Sequence, residues 1–490
     1  MSDPSSIQVP IGQALTSDMM IGLKPTAPKS RSYRLSIPPL NKSLFNPQDT
    51  MIFEIPTGRK GSWLDQSQSF LKFSVQCSST NACAVAGAGI YLENSAYSFI
   101  QRLDVLNSSN TLESINEYGQ LANYLIDTTL TRSDKIGMSV LIGSNPYLRT
   151  STSSFTVLAD NVNTQYPGDR SGLSIASTIA INGSIPYTFC LPVLSGVIGI
   201  NSSKMLPLGQ LMAPIRCEFV LASNDDALYY GTGGAGCIWQ LINVELCCCF
   251  VEIQDDSLSP HLNFGEQEYI STKTYKQSST FLPRATSGEV TCLIPFRCAS
   301  LSGIYARFRP FVSNVQGANA TAAYRKSASV NPNFSQAYFR IGGSMYPPKP
   351  INLISSTSGT GAEGYAELQK SFHALGSSTC NGSIMYNYYN VATTATQGWS
   401  VNYGPNAKTG YVIDSHANAF SIGLELESFS NRSDTIMSGV STLNSQIYFT
   451  GTVYNGLMTG GTGTYDMTID FFGCMDMILV IENGIMSAKY

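Results

Sequence analysis

Charge is scarce in this sequence. Asp, Glu, Lys and Arg make up 13% of its 490 residues, about half the roughly 25% usual in globular proteins. No run of Lys or Arg stands out and the net charge is −4, which excludes an extended electrostatic footprint for nucleic acid. No specific nucleic-acid binding is expected. Apolar runs are short as well, and none approaches the ~20 residues of a membrane-spanning helix. The amino terminus lacks the charged-then-apolar pattern of a signal peptide, so the expectation is a soluble protein made in a reducing compartment. Histidine is rare: His261, His373 and His416 are the three in the chain, none at metal-ligand spacing from another. The signatures of nucleophilic triads and zinc proteases are missing, so no catalytic, cofactor-binding or metal site is assigned.

What is abundant is uncharged. Ser, Thr, Asn and Gly fill the place of charge, and 43% of the chain is hydrophobic, enough for sizeable cores. Such a surface suits a protein covered by neighbours. Twelve cysteines occur, at Cys77, Cys83, Cys190, Cys217, Cys237, Cys247, Cys248, Cys249, Cys292, Cys298, Cys380 and Cys474. Several sit inside apolar strand-like runs, where a thiol behaves as a small hydrophobe, and no repeated CxxC pair offers a zinc site. Buried free thiols are expected. The run Cys247-Cys248-Cys249 would point alternate side chains to opposite faces of a strand, which prevents convergence on one ion.

Period-two alternation dominates the pattern. Met51, Phe53 and Ile55 share a face, as do Leu71, Phe73 and Val75 against Lys72, Ser74 and Gln76. Ile215, Cys217, Phe219 and Leu221 alternate with Arg216, Glu218 and Val220; Phe420, Ile422, Leu424 and Leu426 alternate with Ser421, Gly423, Glu425 and Glu427. Each reads as a strand with one buried face. Two segments have helical spacing: Tyr118, Leu121 and Leu125, then Tyr365, Leu368, Phe372 and Leu375. The balance predicts an all-β protein with minor helices.

Similar elements recur at half the chain length. Ile55-Pro56 and Ile294-Pro295 each end a strand, 239 residues apart. The helical stripes begin at Tyr118 and Tyr365, 247 apart, and glycine-rich stretches ending at Gly236 and Gly463 each precede a long apolar strand. A period near 230 is a repeat of domains, since solenoid and propeller units span roughly 20 to 50 residues. The expected division is an extended, proline-punctuated arm over residues 1–45 and β-sandwiches over 46–255 and 256–490, joined through the polar stretch 254–261. An eight-stranded jelly roll accommodates each half, because its crossovers tolerate long insertions.

Other candidate motifs have plainer readings. Asp225-Asp226 and Asp255-Asp256 could suggest glycosidase acids or a calcium site, but adjacent side chains diverge and both pairs read as turns. The glycines over 231–236 lack a following Lys-Ser/Thr and lead into a strand, which favours a hairpin loop over a phosphate cradle. Gly58-Arg-Lys-Gly61 could contact an anion, yet reads as a solvated turn. Trp63 could stack on a ligand, but its neighbours suit packing or a subunit interface. The sequons at Asn107 and Asn381 are attributed to a chain rich in Ser and Asn. His373 reads as a polar residue on the face of its helix.

Several segments resemble a known family. Phe53-Glu-Ile-Pro-Thr-Gly-Arg-Lys-Gly-Ser-Trp-Leu-Asp65, followed by Leu71-Lys-Phe-Ser-Val75, is similar to the opening strands of double jelly-roll major capsid proteins of small DNA viruses, notably virophages and Polinton-like viruses. Tyr97-Ser-Phe-Ile-Gln-Arg-Leu-Asp-Val-Leu106 and Leu112-Glu-Ser-Ile-Asn-Glu-Tyr118 resemble the strand-and-helix segment that follows there. Leu206–Leu211 with Ile215–Leu221, then Phe339–Ile351, then Met477–Ile485, resemble later elements of the two rolls. The resemblance spans residues 50 to 490 and its motifs carry no chemistry. It implies a structural block rather than an enzyme: a homotrimer whose six jelly rolls form a pseudo-hexagonal capsomer tiling an icosahedral virion shell, with adenovirus hexon a larger relative. It also implies penton and minor capsid proteins as partners, and leaves open an internal membrane. Two readings from other classes stand beside it, a carbohydrate-binding or carbohydrate-active β-sandwich and a secreted lectin-like adhesin.

Overall fold

Alternation of apolar and polar residues is realised as strands throughout the computed structural model. It describes residues 29–78, 90–92, 95–130, 132–143, 149–152, 154–157, 187–199, 204–230, 238–253, 267–283, 286–310, 329, 334–353, 361–373, 420–428, 437–453 and 466–490. The first half runs β1 (Ser30–Ile37), β2 (Leu44–Phe45), β3 (Thr50–Ile55), β4 (Ser62–Ser78), β5 (Ile90–Leu92), β6 (Ile100–Asn107) and β7 (Asn110–Asn116). Helices α1 (Tyr118–Thr129) and α2 (Arg132–Ile142) follow, then β8 (Arg149–Thr152), β9 (Ser154–Val157), β10 (Tyr187–Pro192), β11 (Ile215–Leu221), the short α3 (Asn224–Ala227), β12 (Leu228–Tyr230) and β13 (Ile238–Ile253). The second half has β14 (Gln267–Leu282), β15 (Gly288–Ile294), β16 (Leu301–Pro310), β17 (Phe334–Ile341) and β18 (Ser344–Asn352). Helix α4 (Ala362–Ser371), β19 (Ser421–Glu425), β20 (Ile447–Val453), β21 (Met467–Glu482) and β22 (Ile485–Lys489) complete it.

The pairing order repeats in the two halves. One sheet of the first half reads β1-β13-β4-β10, with β2 also on β13, and the other reads β3-β11-β6-β7. The second half has β14-β21-β16-β19, with β22 also on β21, and β15-β20-β17-β18. Ranked along the chain among the eight principal strands of each half, both halves pair in the order 1-8-3-6 and 2-7-4-5. Two antiparallel sheets connected in that order are a jelly roll. The chain therefore folds as two tandem eight-stranded jelly rolls with minor inserted helices.

The repeated landmarks fall on equivalent elements. Ile55 and Ile294 end the second-ranked strands, α1 and α4 each follow the fifth-ranked strand, and β13 and β21 are the eighth-ranked strands. Each roll closes over its own aromatic core. Phe53 meets Phe219 edge-on at 5.8 Å across the first, while Phe449 contacts Phe308, Phe334, Phe339 and Phe471 in the second. Such ring pairs add about 0.5–1.5 kcal/mol each beyond the area they bury.

Two expectations change in detail. The extended arm expected over residues 1–45 is, from Ser30 on, the edge strand β1, paired antiparallel with β13 from Ser30↔Ile253 to Ile37↔Leu246. Tyr33, Leu35 and Ile37 do alternate with Arg34 and Ser36, but the prolines on either side outweigh this short signal, and the strand is mostly exposed. The second concerns β19, expected to bury one face. Ser421, Ile422, Gly423 and Leu424 are all buried, because α4 lies over the face away from the core. A Cβ at Gly423 would stand 2.5 Å from the Ser371 hydroxyl, so glycine is what lets the helix sit this close.

Candidate functional site: the seam between the two rolls

Among the described residues, His373 is the weighed residue that lies beside other potential ligands, Glu425 and Glu427. His261, His416, Asp255, Asp256, Asn381 and the glycines over 231–236 lie outside the described residues, as does the stretch 254–261. Asp226 lies in the single turn of α3. Gly58 and Gly61 have φ of +84° and +73° and shape the turn between β3 and β4. Within it Arg59 reaches Glu252 at 2.7 Å, so that turn is anchored to β13. Trp63 is half-buried, beside Leu64, which points into the core. Asn107 is fully buried and hydrogen-bonded, which removes its sequon from use in the folded chain.

Among the described cysteines, Cys190, Cys217, Cys247, Cys248, Cys249, Cys292, Cys298 and Cys474 are free thiols. Cys248 packs in the core, while Cys247 and Cys249 face the hydroxyls of Ser36 and Ser32 on the other side of the sheet. Burial pushes the Cys248 thiol up to about 12 and those of Cys292 and Cys474 up to about 11. Raised values keep them protonated and poor nucleophiles.

The most developed polar arrangement joins the two rolls. Consecutive residues Leu112 and Glu113 of β7 are both buried, which strict alternation on a one-sided sheet forbids. A bulge explains it: Leu106 pairs with Thr111 but Val105 with Glu113, leaving Leu112 as the extra residue. The Glu113 carboxylate accepts bonds from the Ser195 hydroxyl, from the Gly196 N–H at 3.1 Å and from the Thr274 hydroxyl at 2.5 Å. Ser195 and Gly196 belong to the first roll, whereas Thr274 lies on β14 of the second. Gly196 is required where it stands, since a Cβ there would lie 2.6 Å from the Lys273 carbonyl oxygen. Burial raises the Glu113 pKa, and the donated bonds oppose that shift only in part.

Around this carboxylate the seam is both polar and aromatic. Asn107 accepts from the Met486 N–H at 2.8 Å and donates to the Ala213 carbonyl at 2.9 Å. The Tyr490 hydroxyl donates to the Leu112 carbonyl, so the last residue of the chain is fastened to the first roll. From α1, Tyr124 stacks on Phe472 at 6.0 Å and 17°, touches Tyr305 and Phe372, and donates to Ser421 at 3.2 Å. Gln120, on the same helix, accepts from the buried Arg307 at 3.0 Å. Strand β21 is thereby covered on both faces, with Phe471 toward Phe449 in the core and Phe472 toward Tyr124 in the seam. Asn107, Leu112, Glu113, Phe372 and Ser421 lie in segments named from the sequence, but none was assigned a role between the two rolls. The one available signal is the adjacent pair Phe471-Phe472, whose rings point to opposite faces of β21.

No family model matches the sequence, and no curated protein matches it. Solved structures do. A chain of the Sputnik virophage structure is 12% identical with a TM-score of 0.57, and the alignment covers 100% of this chain and 93% of that one. The major capsid protein of Faustovirus is 10% identical with a TM-score of 0.56, covering 97% and 94%. That of mavirus is 10% identical with a TM-score of 0.50, covering 100% and 96%. At such identities the likeness is one of fold, and it extends over both rolls in order.

Proposed function

We propose that this chain is the major capsid protein of a double-stranded DNA virus, a structural subunit rather than an enzyme. The observation that carries the reading is the likeness to a virophage chain over 100% of this chain and 93% of that one, so that both rolls and their order are shared. A lone carbohydrate-binding sandwich would account for one roll only.

The physical logic of the fold supports this reading. Two similar rolls locked side by side give each subunit two similar outward flanks, so three subunits related by a threefold axis present six rolls in a ring. The result is a homotrimer with a pseudo-hexagonal outline, suited to a position with six neighbours in an icosahedral shell. Five-neighbour positions need a different protein, which makes penton and minor capsid proteins expected partners. The seam supplies the rigidity this demands, because a hinge between the rolls would spoil the ring. The trimer interface should bury more than roughly 2,000 Å² per pair, as obligate oligomers do. The test is light-scattering mass on the purified full-length protein, together with a glycan-binding titration. Three chains per particle and no saturable glycan binding are expected; a monomer that binds a glycan saturably overturns the proposal.

A further inference from the structure

Where α4 meets β19 and its continuation, His373, Glu425 and Glu427 come together. Each can place one ligand atom within 4.8 Å of those of the other two. The imidazole Nδ1 lies 3.5 Å from Glu425 Oε1, and Nε2 lies 4.0 Å from Glu427 Oε2. Side-chain exposure is 35% for His373, 13% for Glu425 and 8% for Glu427. The trio is nearly enclosed yet open to solvent through the histidine.

Alternation along the strand put both glutamates on a face expected to meet water. Because α4 covers that face, two carboxylates are enclosed instead. Lys273 binds Glu427 Oε1 at 2.5 Å, leaving Oε2 toward the imidazole. Asp476 adds further negative charge to the field felt by Lys273, although its oxygens accept from the hydroxyls of Ser300 and Ser302. Among the described residues, Lys273 is thus shared between Glu427 and the charge of Asp476.

A second observation concerns the atoms themselves. Among the described residues, the buried His373 Nδ1 and Glu425 Oε1 have no hydrogen-bond partner, although they face each other. Buried polar atoms of this kind call for an unseen partner. Ligand atoms around a tetrahedral ion with bonds near 2.0–2.1 Å stand about 3.3 Å apart, close to the 3.5 Å between these two atoms. His373 also adopts φ +56°, in the left-handed region where histidine, like asparagine and aspartate, is enriched. It ends the helix with its ring over the strand.

We propose that His373, Glu425 and Glu427 form a binding site for one first-row divalent transition-metal ion, of which Zn²⁺ is the type. One imidazole nitrogen with two carboxylate oxygens matches the donor set of such ions. Ca²⁺, which takes six to eight oxygens, is a poor fit. The fourth position belongs to water. Bound there, the ion fastens the end of α4 to the strand that runs from β19 into Glu427.

The test uses the full-length protein after chelator treatment and dialysis. Co²⁺ is followed by its visible absorption, and Zn²⁺ by calorimetry and thermal melting. One ion per chain and a higher melting temperature with Zn²⁺ are expected. His373→Asn, whose side chain tolerates the positive φ and so preserves the fold, should weaken binding at least tenfold, and Glu425→Gln should do the same with the helix end untouched. Absence of binding, or equal binding by the parent chain and both variants, overturns the site. The trio would then be a histidine packed between two carboxylates with no ion.

Discussion

Glu113 shows how much a single side chain can bear at the seam. Its carboxylate serves donors from both rolls, so Glu113→Ala leaves two hydroxyls and an N–H without this acceptor in a buried interface. Urea denaturation should register a loss of about 3 kcal/mol. The sign of its pH dependence follows from the raised pKa. The folded state holds a proton on Glu113 more tightly than the unfolded chain, whose value is the ordinary 4.5. Stability from this group is therefore present at low pH and lost as pH rises through the folded value. The parent chain should gain on Glu113→Gln as pH falls from neutral toward 4.5; a difference independent of pH contradicts this account. The thiols offer a second check. Among the described cysteines, half-exposed Cys190 and Cys249 should react with a thiol reagent in the native protein, while Cys248, Cys292 and Cys474 wait for unfolding. Burial of Cys217, Cys248, Cys292 and Cys474 was legible, because they sit in apolar strand-like runs. Glu113 was not, since its partner Thr274 is 161 residues away and nothing local marks the pairing.

At the scale of elements, β1 and α1 carry the sharpest expectations. Strand β1 covers the edge of β13, and Tyr33 stacks on Phe250 at 5.7 Å while donating to Glu252 at 2.6 Å. Deleting residues 2–40 removes the strand, exposes the β13 edge and should cause aggregation. Helix α1 fastens the rolls through Tyr124. Tyr124→Ala should cost about 3–5 kcal/mol in denaturant unfolding, as large aromatic truncations do, and Tyr124→Phe about 1 kcal/mol through the lost bond to Ser421. The two helices and their half-length recurrence could be read from the sequence because Tyr118 and Leu121 in one, and Tyr365 and Leu368 in the other, keep helical spacing. Their targets could not. Neither the packing of α1 on the second roll nor the covering of β19 by α4 leaves a periodic trace, since both depend on tertiary placement.

For the molecule as a whole, the repeated order 1-8-3-6 and 2-7-4-5 matters more than any single contact. It places two rolls of the same topology in one chain, and the seam from Asn107 to Tyr490 fixes their relation. A surface with few charges is consistent with a subunit that spends its working life covered by copies of itself. If so, seam variants such as Glu113→Ala should lower assembly as well as stability. The most direct test is cryo-electron microscopy of the purified full-length protein. Particles of three chains with six rolls around a pseudo-sixfold ring, alone or tiled into shells, are the predicted result. Isolated single chains at every concentration examined would contradict the account.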